Sequence, residues 1–256
     1  MNKKSFDEWY AERFGERWHE LRRCLLEEAK PVEYKSGLEK PYFMDHASVL
    51  AAESLRLPES GTILDACAAP GGKSLVIASR MSADCRLICN EVSAARRRRL
   101  SLVLDDHLDE EKRKHIKVSG FDAASLGGNK KEWNCYDAIL IDAPCSSERH
   151  VIQSKKALSQ WTPARPRFLA GRQWALLSAA FLLLKSGCSL VYSTCSLCDE
   201  ENDEVVSRLM EKYGENAIQD PPDFVEGEKT RYGKIILPDV SGGIGPMYVA
   251  RIKKSG

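Results

Sequence analysis

No stretch of the 256-residue chain strings together the ~18 apolar residues that a membrane-crossing helix needs. The opening MNKKSFDEWY carries acids and no apolar segment, so no membrane span, signal peptide or transit peptide is expected. An excess of one charge is missing as well. Thirty-eight Lys and Arg face 37 Asp and Glu, for a net charge of +1. The chain is therefore no polycation, and any nucleic-acid surface must come from local segregation of charge. Internal repeats and low-complexity segments are absent. Cysteine, by contrast, is plentiful. There are nine, an odd number, and most sit inside apolar strand-like runs (Cys67, Cys85, Cys89, Cys188). That usage suits reduced thiols in a cytoplasmic protein better than a disulfide framework. The length fits one large α/β domain, or such a domain with a small appendage.

The most informative stretch is Thr62–Ser74, TILDACAAPGGKS. Thr62–Ala66 reads as a short buried strand that ends near Asp65. Ala69-Pro70-Gly71-Gly72 cannot continue it, and Lys73–Arg80 returns to helix-forming sequence. A strand, a glycine loop and a helix start are the usual place for an α/β sheet to hold a nucleotide-like ligand. The glycines let backbone approach closely, and the free N–H groups of the helix suit a carboxylate or another anion. The spacing matches neither G-x-x-x-x-G-K-[ST] nor G-x-G-x-x-G. A plain strand-to-helix turn remains the alternative.

The rest alternates as a doubly wound sheet should. Ser5 with Glu8 fits a capping box. Phe6, Trp9, Tyr10, Phe14, Trp18, Leu21 and Leu25 recur at helical spacing, with a break near Gly15. This predicts a helical extension over residues 1–41, joined through the polar linker Lys30–Pro41 to a main domain over 42–256. Strands are expected at Arg86–Asn90, His115–Ser119, Tyr136–Asp142 and Ser189–Thr194. Helices are expected at His46–Leu57, Ser93–Asp106, Arg167–Lys185 (stopped by Gly187) and Asp199–Tyr213. Lys234–Leu237 and Met247–Ile252 read as an antiparallel pair on the sheet edge. The segment after DAPCSS reads as a loop.

Chemically pointed residues fall just past successive strands. Glu91 lies about 20 residues beyond the glycine loop, where an acid can accept both ribose hydroxyls of a nucleoside. Asp122 follows the next strand and can accept from an exocyclic amine. Asp142 opens DAPCSSERH, and Cys195 sits in YSTCSLCDEEN. Together they outline a nucleoside cofactor site, with S-adenosylmethionine and NAD both open on this argument. Cys145 and Cys195 stand at adjacent strand ends and are the sharper clue, with small buried hydrophobes as the plain alternative. A zinc or redox role for Cys195-x-x-Cys198 with Cys85-x-x-x-Cys89 is disfavoured, because Cys89 belongs inside a strand and no His falls nearby. No metal is expected.

ACAAPGGK, DAPCSSERH and YSTCS, in that order, resemble the RNA (cytosine-5) methyltransferases of the NOL1/NOP2/Sun (RsmB/NOP-type) family. The resemblance covers roughly Tyr42 onward. FDEWYAERFGERW and GPMYVARIKK resemble the branch with mitochondrial rRNA- and tRNA-modifying members. It implies a class I, Rossmann-like methyltransferase with a mostly parallel sheet, an antiparallel edge and S-adenosylmethionine as cofactor. It also implies Cys195 as the nucleophile on C6 of cytosine, Cys145 in product release, Asp142 on the base edge, and Lys73 near Asp142 and the methionine carboxylate. Cys67, Ala68, Ala69, Pro70, Gly71, Gly72 and Lys73, with Glu91, Asp122 and Asp142, map onto the family's cofactor contacts. The expected substrate is RNA, with rRNA slightly preferred over tRNA; a protein partner that delivers it is left open. Two basic stretches remain. Arg96–Arg99 steps ~100° per residue around a helix and cannot share one face. In the loop after DAPCSS, Arg149, His150, Lys155, Lys156, Arg165 and Arg167 surround Trp161, a mixture that suits a single-stranded or flipped base and equally a structural role.

Overall fold

The computed structural model describes residues 4–256. Ser5 opens helix α1 (Phe6–Phe14): its hydroxyl accepts from the Glu8 amide, and the Glu8 carboxylate accepts from the Ser5 amide. Gly15, at φ +56°, turns the chain into α2 (Arg17–Leu26). The expected linker is partly structured. Within it β1 (Val32–Tyr34) runs antiparallel to β2 (Tyr42–Met44), which lies just beyond Pro41. Three residues per strand are too few for an alternating pattern to show. Asp45 then caps α3 (His46–Glu53) by accepting from the Ala47 amide.

The main sheet has five parallel strands in the order β5 (Ile116–Ser119), β4 (Cys85–Asn90), β3 (Gly61–Asp65), β6 (Tyr136–Asp142) and β7 (Leu184–Thr194). Their near-continuous apolar sequence follows from burial on both faces. Successive residues still part to opposite sides. Ile63 and Leu140 join a core under α3, α4 (Gly72–Arg80) and α5 (Ala94–His107). Leu64, Ile139 and Ile141 join another, under α9 (Ala164–Leu183) and α10 (Asp203–Tyr213). A short α6 (Glu110–Lys114) precedes β5. The sheet continues antiparallel from β7 through β11 (Met247–Lys254), β10 (Lys234–Ile236) and β9 (Glu228–Lys229), and β8 (Ala217–Gln219) also pairs with β11.

Two expectations need correction. The loop after DAPCSS holds two short helices, α7 (Glu148–Gln153) and α8 (Lys155–Gln160). Gly187 does not stop a helix. α9 ends at Leu183, β7 starts at once, and Gly187 lies within that strand at φ +79°. As the amphipathic spacing implies, α1 and α2 pack on the main domain: Phe6, Trp9, Tyr10, Trp18 and Leu21 bury themselves with Val151, Ile152, Trp161 and Leu197.

Candidate active site

The carboxyl ends of β3, β4, β6 and β7 open onto one cleft of about 380 Å³, within the usual size range for small-ligand sites. Cys67, Ala69, Pro70, Lys73, Glu91, Asp122, Asp142, Cys145 and Cys195 line it. A smaller recess of about 100 Å³ adjoins it, lined by Asp65, Ala68, Gly72, Lys73 and Asp142 among others. The sequence-predicted cofactor and cysteine positions thus converge, apart from Gly71, which shapes the turn from behind. Gly71 has φ +123°, and a Cβ there would come within 2.9 Å of the Val103 side chain.

Lys73 leaves the first turn of α4 and donates to Asp142 Oδ2 at 2.9 Å and to the Ser48 hydroxyl at 3.2 Å. Burial opposes its charge, but the Asp142 carboxylate more than offsets this and holds the ammonium above the ordinary lysine range. Asp142 also accepts from the Ser193 hydroxyl at 3.1 Å, from the neighbouring strand. Asp65, fully buried, accepts from Ser74 through Oδ2 at 2.6 Å, while its Oδ1 has no partner among the described residues. Burial pushes this carboxyl up to about 7.

The two thiols meet at the far end of the cleft, with 2.9 Å between their Sγ atoms. The Cys145 thiol, donating to Cys195, holds Cys195 below the usual thiol range, and the Ser147 hydroxyl at 3.3 Å acts the same way. Cys145 is pushed well up by the same contact and by burial. Of the pair, Cys195 is the one prepared to be a thiolate. Ser147 was not legible in sequence. Its backbone is left-handed (φ +54°, ψ +59°), a conformation costing roughly 1–2 kcal/mol for a residue with a side chain. That turn brings its hydroxyl within 3.5 Å of Cys145 Sγ as well.

Glu91 is nearly buried. Its Oε1 accepts from the Ser93 amide at 2.8 Å, and its Oε2 pairs at 2.8 Å with Arg96, whose guanidinium also donates to the Ala69 carbonyl. Arg97 turns back onto the Glu91 carbonyl at 2.7 Å. Two of the four consecutive arginines therefore fasten the glycine loop and the start of α5. Asp122 is exposed and lies 4.0 Å from Arg172 of α9, which also lines the cleft.

The expected RNA contacts are placed differently. Trp161 is buried, packed edge-on against Phe6 and Trp9, and presents no open face for a base. Arg149 spends its guanidinium on the carbonyl oxygens of Glu27, Gly243 and Gly245. Both follow the Cys145 loop in sequence, but α7 and α8 carry them towards the N-terminal helices. His150 is exposed on α7, and Arg165 and Arg167 are exposed on the first turn of α9. Phe168, one turn of α9 before the cleft-lining Arg172, is 77% accessible. At ~100° per residue, Arg165, Phe168 and Arg172 fall within ~60° of one another on α9. Among the described residues, no helix is long and apolar enough to cross a membrane.

The family described as 16S rRNA methyltransferase RsmB/F matches residues 52–253. Ribosomal RNA small subunit methyltransferase F of Vibrio campbellii is 32% identical over 244 residues, which cover 93% of this chain and 49% of that protein. The 5-cytosine rRNA methyltransferase NSUN4 of Bos taurus is 31% identical over 234 residues, covering 84% and 60%. The chain spans about half the length of the curated relatives it matches. Among solved structures, NSun6 from Pyrococcus horikoshii with SFG superposes with a TM-score of 0.71 at 25% identity, over 87% of this chain and 54% of that one. A methyltransferase homologue from the same organism gives 0.74 at 22% identity, over 96% and 95%, and shares the fold.

Proposed function

Because the chain belongs to the 16S rRNA methyltransferase RsmB/F family, we propose that it transfers a methyl group from S-adenosylmethionine to C5 of a cytosine in RNA, ribosomal RNA before tRNA. The observation that carries the reading is the sulfur pair. One thiol is set up as an anion by its neighbour, in the same cleft as a Lys–Asp pair and the glycine loop. The relatives are rRNA methyltransferases by name, and the NSun6 structure holds SFG, an S-adenosylmethionine analogue.

The residues present fit such a cofactor. Asp65 Oδ1, buried and unpartnered beside the smaller recess, suits an ammonium donor. Lys73 and the amino end of α4 suit the carboxylate beside it. Glu91 suits the ribose hydroxyls and Asp122 the exocyclic amine of the adenine. When bound, the cofactor supplies an electrophilic methyl on a cationic sulfur, next to a cleft rich in carboxylates.

The protein's own groups then act on the base. Asp142, held by Lys73 and Ser193, receives the polar edge of the cytosine and favours its N3-protonated form. The Cys195 thiolate adds to C6, and the displaced electron pair makes C5 the nucleophile that takes the methyl. Restoring the aromatic ring requires loss of the C5 proton and breakage of the C6–S bond, which returns Cys195 as a thiolate. Cys145, the adjacent sulfur, assists that elimination. Along α9, Arg165 and Arg172 offer positive charge to phosphates, and Phe168 offers a stacking face to a neighbouring unpaired base. A labelled-methyl assay on total RNA, followed by bisulfite sequencing, tests the proposal. Label must appear at cytosine C5 and vanish in Cys195→Ala. A wild type that binds the cofactor yet labels no RNA would instead be a silent RNA-binding protein.

A further inference from the structure

Each cysteine loop buries a serine directly after its cysteine: Ser146 after Cys145 and Ser196 after Cys195. Between the two serines stands Glu201, fully buried, from the turn before α10. Its Oε2 accepts from the Ser146 amide at 2.9 Å and from Gln173 Nε2 at 2.8 Å. Its Oε1 accepts from the Ser146 hydroxyl and, at 2.8 Å, from the Ser196 hydroxyl. Gln173 also donates to the Pro144 carbonyl at 2.9 Å, so the Cys145 loop is held on both sides of the cysteine. A second buried carboxylate, Glu148, accepts from the Leu197 amide at 3.1 Å and from the Tyr10 hydroxyl at 2.6 Å. Neither carboxylate has a cationic partner among the described residues. Burying two acids without a cation is a costly way to join two loops if packing were the only need.

Resting on the functional reading above, we propose that Glu201 is the positioning residue of the sulfur pair: by gripping both loops at once, it holds Cys145 in hydrogen-bonding contact with Cys195. Without that grip each loop keeps its cysteine but loses its register against the other. The span of the side chain is what matters. Aspartate keeps the charge but is one methylene short of reaching both serines. Glutamine keeps the span, and the serine hydroxyls can rotate to accept from its amide.

The test uses the whole chain and phenylarsine oxide, an arsenical that bridges two close thiols with loss of water. Wild type must bind it through Cys145 and Cys195, shown by its loss in either cysteine-to-alanine variant. Glu201→Asp should bind it at least tenfold more weakly while binding S-adenosylhomocysteine as wild type does, and Glu201→Gln should stay within about threefold. In methylation assays Glu201→Asp should lose kcat and keep its KM for the methyl donor. The arsenical reads the sulfur pair without RNA or methyl donor, so its outcome is separate from whether wild type methylates RNA. A folded Glu201→Asp that bridges the arsenical like wild type overturns the proposal. So does an order of effects that simply follows thermal stability. If Asp does not fold, loss of bridging in folded Glu201→Gln equal to that in a cysteine variant overturns it too, because charge rather than span would then be at work.

Discussion

Replacing Cys145 with alanine removes the donor facing the Cys195 sulfur at 2.9 Å and should move its reactivity in two opposing directions. That donor is the largest influence holding Cys195 below the ordinary thiol range, ahead of Ser147. A hydrogen bond to a charged group contributes ~1.5–3 kcal/mol, so its loss lowers the thiolate population at neutral pH by roughly ten- to hundredfold. Part of this returns, because a less stabilised thiolate is the better nucleophile, with a Brønsted slope of ~0.4–0.5. The net loss of attack rate near pH 7 is then about three- to tenfold. Once pH is high enough to ionise Cys195 fully, the variant should react faster than wild type, and the two pH–rate curves should cross. Iodoacetamide labelling of Cys195, followed by peptide mass spectrometry from about pH 6 to 10, measures this directly. With RNA and S-adenosylmethionine, the same variant should build up a heat- and detergent-resistant protein–RNA adduct, because elimination is slowed more than attack. Superimposable pH–rate curves would refute the assignment of Cys145 as donor. An adduct in Cys195→Ala that needs Cys145 would reverse the two roles.

If Glu91 accepts the ribose hydroxyls as proposed, Glu91→Ala should weaken S-adenosylmethionine tenfold or more by calorimetry. Arg96→Ala, which loses a half-exposed guanidinium, should stay within about threefold of wild type. Phe168→Ala should cost ~1–3 kcal/mol in RNA affinity with cofactor affinity unchanged, and Arg165→Ala with Arg172→Ala should flatten the salt dependence of RNA binding. An unaltered slope would remove that helix face from the RNA path. Asp65 titrates at about 7 in the fold, well above a free carboxyl. Between the two values the folded state holds the extra proton, so this group's contribution to stability falls as pH rises from about 4 to 7. Asp65→Asn should flatten that part of the stability–pH curve in urea titrations; an unchanged slope would place the titration elsewhere.

The glycine loop and the strand-end acids were legible because each is local: a strand, a turn and a helix start within a dozen residues fix where Lys73 and Glu91 can go. The aromatic face of α1 was equally plain from its spacing, although its partners were not. Trp161 and Arg149 misled for the converse reason. They follow Cys145 by only 16 and 4 residues, yet α7 and α8, too short to show periodicity, turn them onto α1 and onto the Gly243–Gly245 backbone. Ser147 could not be read at all, since its role depends on a left-handed backbone that serine seldom adopts. Phe168 and Arg172 sat inside a helix of mixed composition, and only the packed side of α9 reveals which residues remain free. Glu201 stands in an acidic run, DEE, that looks like solvated surface.

β11 gives the molecule a timetable. The parallel half of the sheet is complete when Thr194 has been made, but the outer edge of β7 stays open until residues 247–254 supply its antiparallel neighbour, Tyr248 beside Thr194. At ~5–20 residues per second, the intervening fifty-odd residues leave an apolar strand edge unpaired for roughly three to ten seconds of synthesis. Such an edge invites pairing with another nascent chain. Because Cys195 follows directly on that strand, its surroundings are complete only when the last strand of the sheet has arrived. Chains halted before Met247 should be sticky and inert.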